Sequence, residues 1–237
     1  MPRATATAAT GTGEFRGWGA AARHGVEHII SQRGVWPEVP LIGMGHSFGG
    51  VLTVLMAASG AGYAGCVLLD PVLMSPPIMA YMQFREWLGL PHPKQALTLR
   101  RRRQWANREE AFQRLHGRGT FVGWTDASLW AYVNHALMDA GDGVALKCRP
   151  ELEAEVFSSR PRRLWQAVRR SPAPTHIIAG AGTMPFVING ARRAVRSNHR
   201  FDCQLVPGGH CFMQEYPEAT AASVLAQLRG WGLLPNR

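Results

Sequence analysis

The sequence predicts an α/β fold in which a mostly parallel sheet is interrupted by a long helical insertion. Three observations predict it. First, an apolar run from Val39 to Met44 meets the pentapeptide Gly45-His46-Ser47-Phe48-Gly49, and a helix-length apolar stretch follows, closed by Gly60. Second, short β-patterned segments recur at Cys66 to Pro71, Thr175 to Gly180 and Phe201 to Val206. Third, the last of these runs into a glycine-rich loop, Pro207-Gly208-Gly209-His210, ahead of a terminal amphipathic helix.

Taken in order, Met1 to Gly13 is a thin alanine, threonine and glycine tract with no strand pattern. Trp18, Ala22, Val26, Ile29 and Ile30 recur at helical spacing and predict one amphipathic helix from about Phe15 to Arg33. The run around Ser47 reads as strand, tight turn and helix, the arrangement of a nucleophile elbow. Such a turn is so sharp that residues two positions either side of the serine have little room for side chains, and Gly45 and Gly49 occupy those positions. The next strand ends at Asp70 before Pro71. Helices are predicted at Ile78–Leu88, Leu97–His116, Asp126–Leu137, Pro150–Ser158 and Pro161–Arg170, separated by glycine- and proline-rich turns. Asp139-Ala140-Gly141-Asp142-Gly143 is one of those turns: it lacks the middle oxygen ligand of a calcium loop, and Pro150 stands where that loop needs a glutamate. After the strand at Phe201 to Val206, a final helix runs from about Pro217 to Trp231 with proline in its first turn.

Two residues carry the chemistry. The turn would lift the Ser47 hydroxyl clear of the sheet at the start of a helix, where backbone amides stabilise negative charge on a reacting oxygen. The Phe48 amide, next after the serine, is the oxyanion donor that the sequence locates. His210, on a glycine-rich loop past the last strand, can swing towards the tip of a neighbouring elbow, take a proton from the serine and return it to a leaving group. Cys211 lies on the histidine's own loop and is discounted as a nucleophile.

These pieces resemble the α/β-hydrolase superfamily, in the branch with a serine nucleophile and a helical cap. The resemblance rests on GHSFGG at 45–50, the strands at Cys66–Pro71 and Thr175–Gly180, and PGGHCFMQEYPE at 207–218; the stretch Tyr132 to Phe157 resembles the cap segment of some bacterial members. It implies an α/β-hydrolase domain with core segments 14–74 and 173–237 and a helical cap over about 75–172. It also implies a third catalytic group, an acid. Members most often carry it in the loop after the penultimate strand, yet no carboxylate occurs between Thr175 and Phe201. A minority place it at the end of the strand after the elbow, which points to Asp70. The other reading of Asp70 is a plain strand exit making local backbone bonds. The superfamily also places four strands ahead of the elbow strand, and only 46 residues precede Ser47. The chain is therefore expected to be an N-terminally shortened form.

Composition sets the outer limits. The 237 residues are 46% apolar and 18% charged, enough for a sizeable core without disulfides, and the four cysteines form no C-x-x-C pair. No stretch approaches a membrane span and no secretion signal is evident, so the cytoplasm is the default location. The net charge of +10 is almost all arginine, with Lys94 and Lys147 the two lysines. The run Arg100-Arg101-Arg102-Arg103 lacks a recognised nucleic-acid module around it and reads as a solvated helix face, so no nucleic-acid partner is expected. The expected function is hydrolysis of an ester-like bond, a carboxylic ester or thioester, in a small-molecule acyl substrate, with Ser47, His210 and Asp70 as catalytic residues. No metal or organic cofactor is implied, and oligomeric state is not legible. The alternative is a non-catalytic relative that keeps the scaffold for binding.

Overall fold

The structure is a computed structural model that describes residues 17–34, 38–90 and 93–235. Helix α1 (Gly17–Arg33) leads to β1 (Ile42–His46), α2 (Phe48–Ala58) and β2 (Gly65–Leu69). Residues 1–16, including the first two of the expected opening helix, lie outside the described residues. The insertion holds α3 (Pro76–Trp87), α4 (Pro93–Leu99), β3 (Gln104–Trp105), α5 (Arg108–Leu115), α6 (Asp126–Ala136), β4 (Leu137–Ala140), β5 (Gly143–Leu146), α7 (Pro150–Ser158) and α8 (Leu164–Arg170). The chain then returns through β6 (Thr175–Gly180), α9 (Pro185–Ser197), β7 (Phe201–Val206), α10 (Phe212–Glu215) and α11 (Pro217–Gly230).

The main sheet has the order β1-β2-β6-β7 with every pairing parallel, and among the described residues no strand precedes β1. Parallel strands need cover on both faces, and the side chains of β2 show how it is provided. Cys66 and Leu68 point to one face with Ile177 of β6, where α1, α2, α8 and α9 supply Trp18, Val51, Val54, Leu164, Val168 and Ala191. Val67 and Leu69 point to the other with Ile178, under Phe212, Val224 and Trp231 from the C-terminal helices. Period-two alternation thus divides one apolar strand between two cores. Gly65, at the start of β2, is a close-approach position: a Cβ there would lie 2.6 Å from the Trp231 ring.

The insertion is mostly helical, as expected, but also holds strands that were not expected. Gln104–Trp105, Leu137–Ala140 and Gly143–Leu146 form a small antiparallel sheet of order β3-β5-β4. The turn expected at Asp139–Gly143 is the hairpin between β4 and β5, with Gly141 at φ +58°. The helix expected over Leu97–His116 is broken. Thr98 is buried at the end of α4, Trp105 is drawn into the small sheet, and α5 restarts at Arg108 under a new cap in which the Asn107 side chain accepts from the Glu110 amide. This sheet and α5–α6 share a core of Trp105, Ala111, Phe121, Leu129, Val133, Leu137 and Val144. Burial of two-residue β3 is decided by that packing and leaves no periodicity to read. Helix α8 packs instead on α2, and its Leu164, Trp165 and Val168 belong to the main core. Arg102 and Arg103 pair with Glu110 and Glu151 at 2.8 and 3.2 Å, and Arg101 pairs with Glu153, so much of the arginine run is tied to carboxylates within the insertion.

Candidate active site

Ser47 stands between β1 and α2 with φ +55° and ψ −117°, a backbone conformation that costs a non-glycine residue about 1–3 kcal/mol. Neighbours hold it there: its N–H donates to the Leu69 carbonyl at 3.0 Å, and its carbonyl accepts from Val72 at 3.3 Å. Of the elbow glycines, Gly45 is sterically required, because a Cβ there would lie 2.4 Å from the Gly49 carbonyl. Gly49 is not, since a Cβ there meets nothing within 4 Å. The second tight position is Gly50, where a Cβ would lie 2.8 Å from Pro71 and 3.1 Å from the Gly45 carbonyl oxygen. The pattern therefore reflects helix-to-strand approach at 45 and 50 more than crowding at 49.

Ser47, His210 and Asp70, separated by up to 163 positions, meet in one hydrogen-bonded chain. His210 Nε2 is 2.9 Å from Ser47 Oγ, and His210 Nδ1 is 2.6 Å from Asp70 Oδ2. A carboxylate oxygen can only accept, so Nδ1 carries the proton and Nε2 presents its lone pair to the serine hydroxyl. Asp70 has no solvent exposure. A buried carboxylate needs partners, and two more converge on it: the Gly180 N–H donates to Oδ1 at 2.9 Å, and the Thr183 hydroxyl donates to Oδ2. Gly180 closes β6 and Thr183 lies in the loop that follows, where the resemblance seeks the acid and no carboxylate occurs. Asp70 itself sits at φ +45°, a left-handed turn that aspartate tolerates better than most residues.

The histidine loop is brought in by close backbone approach. A Cβ on Gly180 would lie 2.3 Å from the Gly209 oxygen, and the Gly182 N–H donates to the Gly208 oxygen at 2.9 Å. The Glu215 carboxylate accepts from the Gly209 N–H with both oxygens, at 3.0 and 3.2 Å. His46, the residue before the nucleophile, reaches the His210 carbonyl oxygen with Nε2 at 2.8 Å. Sequence reasoning missed Gly180, Thr183, His46 and Glu215; the last two lay inside the quoted motifs with nothing in their spacing to mark what they touch. Burial holds the His46 imidazole below its ordinary value, with the nearby His210 adding to the effect and the bond to the His210 carbonyl opposing it.

Phe48 follows the serine at the first position of α2, so its amide lies at the positive end of an 11-residue helix. Its ring packs on Trp18 at 5.5 Å and on Phe157 of α7 at 5.7 Å between centroids, so the insertion meets the elbow through aromatic contact. The insertion also touches α10, just past the histidine loop, where the Thr125 N–H donates to the Gln214 oxygen at 3.0 Å. Cys211 is buried and its thiol is pushed up by that burial, against the thiolate a nucleophile needs; Cys66, inside β2, is pushed up to about 12. Among the described residues no group of three or more His, Cys, Asp or Glu is arranged to hold a metal ion, and no helix is long and apolar enough to cross a membrane.

Known proteins are similar to this chain in sequence or in fold. The abhydrolase domain-containing protein ACTT2 of Alternaria alternata is 35% identical over 114 residues, 48% of this chain and 39% of that protein, so the chain matches about two-fifths of its relative's length. The peroxisomal α/β-hydrolase Lpx1 of Saccharomyces cerevisiae superposes with a TM-score of 0.73 at 16% identity, covering 94% of this chain and 64% of that one. An esterase of Mycobacterium tuberculosis does so with a TM-score of 0.60 at 17% identity, covering 88% and 67%. Identities this low establish a shared fold. The family model described as "Alpha/beta hydrolase family" matches residues 6–223, and with the elbow, the sheet order and the histidine loop in place, the chain belongs to the alpha/beta hydrolase family.

Proposed function

We propose that the chain is a serine-dependent hydrolase that cleaves an ester-like bond, a carboxylic ester or a thioester, in a small-molecule acyl substrate. The single observation that carries this reading is the continuous chain from buried Asp70 through His210 to Ser47 Oγ, with contacts of 2.6 and 2.9 Å. Ser47 Oγ attacks the acyl carbonyl while its proton passes to His210 Nε2. The negative oxygen of the tetrahedral intermediate takes a hydrogen bond from the Phe48 amide and the favourable field of the α2 N-terminus. Collapse expels the alcohol or thiol, which leaves with the proton returned by His210, and Ser47 keeps the acyl group. Water then gives its proton to His210 and attacks the acyl carbon, and collapse releases the acid as His210 returns the proton to Ser47 Oγ. Throughout, Asp70 remains ionised and holds Nδ1–H, which stabilises the imidazolium formed in each half-reaction.

In this reading the segment from about 75 to 172 serves as the cap over core segments 14–74 and 173–237. The aromatic contact of Phe157 with Phe48 gives it a direct edge on the acyl pocket. The test is labelling of the purified protein with a fluorophosphonate probe beside Ser47→Ala and His210→Ala. Labelling abolished in both variants is expected. A well-folded protein that takes no label would overturn the reading and favour a binding scaffold.

A further inference from the structure

We propose that His46 and Glu215 are positioning residues that clamp the two-residue segment bearing the catalytic base, Gly209–His210, from both ends. The proposal rests on the serine-hydrolase reading above and concerns how that site keeps its geometry.

The loop after β7 is rich in glycine. It contains Pro207-Gly208-Gly209, with Gly208 at φ +105°, and glycine leaves more backbone freedom than any other residue. A base on such a segment must nevertheless be held within a few tenths of an ångström of the serine hydroxyl, since misplacement by about 1 Å costs on the order of a hundredfold in rate. The bond from His210 to Asp70 fixes the ring but not the backbone that carries it. Two side chains hold that backbone, beside the bond from the Phe212 N–H to the Gly209 oxygen at 3.2 Å. Glu215, at the end of α10, accepts from the Gly209 N–H with both carboxylate oxygens. His46 Nε2–H donates to the His210 carbonyl oxygen at 2.8 Å. The first amide N–H and the last carbonyl of the dipeptide are thus both taken.

The glycines are matched to this clamp. A Cβ on Gly208 would come 3.0 Å from Glu215 Oε2 and 2.8 Å from Phe212 Cβ; one on Gly209 would come 3.2 Å from Glu215 Oε1. Side chains at either position would push the carboxylate off the amide. The loop is free enough to let Glu215 in, and Glu215 then removes that freedom.

His46 adds a second link. It is the last residue of β1 and is bonded covalently to the nucleophile, so its contact ties the base's backbone to the same strand end that carries Ser47. Its ring lies 4.8 Å from the His210 ring, centroid to centroid. His210 becomes a cation at each proton transfer, and a charged His46 at that distance would oppose it. A neutral ring with its proton on Nε2 satisfies the carbonyl and adds no like charge, which agrees with the depressed affinity of buried His46 for a proton.

The test pairs truncations with variants that keep the hydrogen bond. His46→Ala and Glu215→Ala should slow fluorophosphonate labelling and kcat by about tenfold to a hundredfold with KM little changed. His46→Gln keeps an amide donor and Glu215→Gln keeps an acceptor, and each should recover most of the loss. A readout independent of reactivity accompanies them. Hydrogen exchange at the Gly209 amide should speed up in Glu215→Ala and stay slow in Glu215→Gln, and nitrogen NMR should find His46 as the neutral Nε2–H form at neutral pH. Unchanged exchange in Glu215→Ala, or His46 protonated on Nδ1 alone, overturns the clamp whether or not Ser47 reacts. Absence of labelling in the wild type, with the exchange and tautomer results as expected, overturns the hydrolase reading and leaves the clamp standing. Alanine and glutamine variants that are equally slow would show a packing role and overturn positioning by hydrogen bond.

Discussion

Replacing Asp70 by asparagine asks which way an amide would turn in a site built for a carboxylate. Asp70 Oδ2 accepts from His210 Nδ1 and from Thr183, and Oδ1 accepts from the Gly180 N–H. Asparagine offers one accepting oxygen and an NH2 that only donates. With its oxygen towards His210, the NH2 faces the Gly180 N–H, and a buried backbone donor goes unpaired at a cost of about 1–3 kcal/mol. With its oxygen towards Gly180, the NH2 faces Thr183, whose hydroxyl rotates to accept, and His210, which must give up its Nδ1 proton. Moving that proton to Nε2 costs an imidazole little, so the second arrangement wins. Nε2–H then points at Ser47 Oγ, 2.9 Å away, and the base has no lone pair for the serine proton. The wrong tautomer is expected to lower kcat by about 10⁴-fold, or about 5 kcal/mol of transition-state stabilisation, with little effect on KM. Stability should fall much less, because the variant also removes a fully buried charge.

The assay is steady-state hydrolysis of an activated acyl ester together with the rate of fluorophosphonate labelling, with circular dichroism to establish folding. Thr183→Val is the control. It deletes one donor to Asp70 while leaving the tautomer intact, so a loss of about tenfold or less is expected. A folded Asp70→Asn protein within tenfold of wild type would refute the reasoning and leave Asp70 as a strand exit bonded to its neighbours.

Three further outcomes are expected, two from glycine geometry and one from the burial of His46. Gly45→Ala should prevent the elbow from closing, because the new Cβ meets backbone at 2.4 Å, and labelling and thermal stability should both be lost. Gly49→Ala, with nothing within 4 Å of its Cβ, should fold normally and gain up to about 1 kcal/mol from helix propensity, as read by urea unfolding. His46 sets a pH dependence: burial holds it below its ordinary 6.5, so the unfolded chain takes up that proton first as pH falls. Its contribution to stability is full above about 6.5 and is lost as pH falls through the native value, so the wild type should lose more stability than His46→Gln between about pH 8 and pH 5. Equal losses would refute the assignment.

The sequence by itself determined the parts of this protein that are local. Strand, turn and helix around Ser47 were legible because a short apolar run, a glycine at the sharp turn and a helix-length apolar stretch are consecutive. The strand at Phe201 to Val206 was legible from its alternation, and the glycine loop that carries His210 follows it directly. What tertiary structure decided is non-local. The β3-β5-β4 sheet forms because Trp105 finds a core contributed by α5 and α6, and a two-residue strand has no pattern of its own. Asp70 had two open readings in sequence. Its surroundings are non-local: the carboxylate is fully buried, and the Gly180 N–H and the Thr183 hydroxyl reach it from 110 and 113 residues away. Gly49 looked sterically constrained by its place in the motif, yet the space around it is open, because the tight approach runs between Gly45, Gly50 and Pro71. Composition and spacing record which residues can serve; parallel strands meeting at one carboxyl edge decide which of them touch.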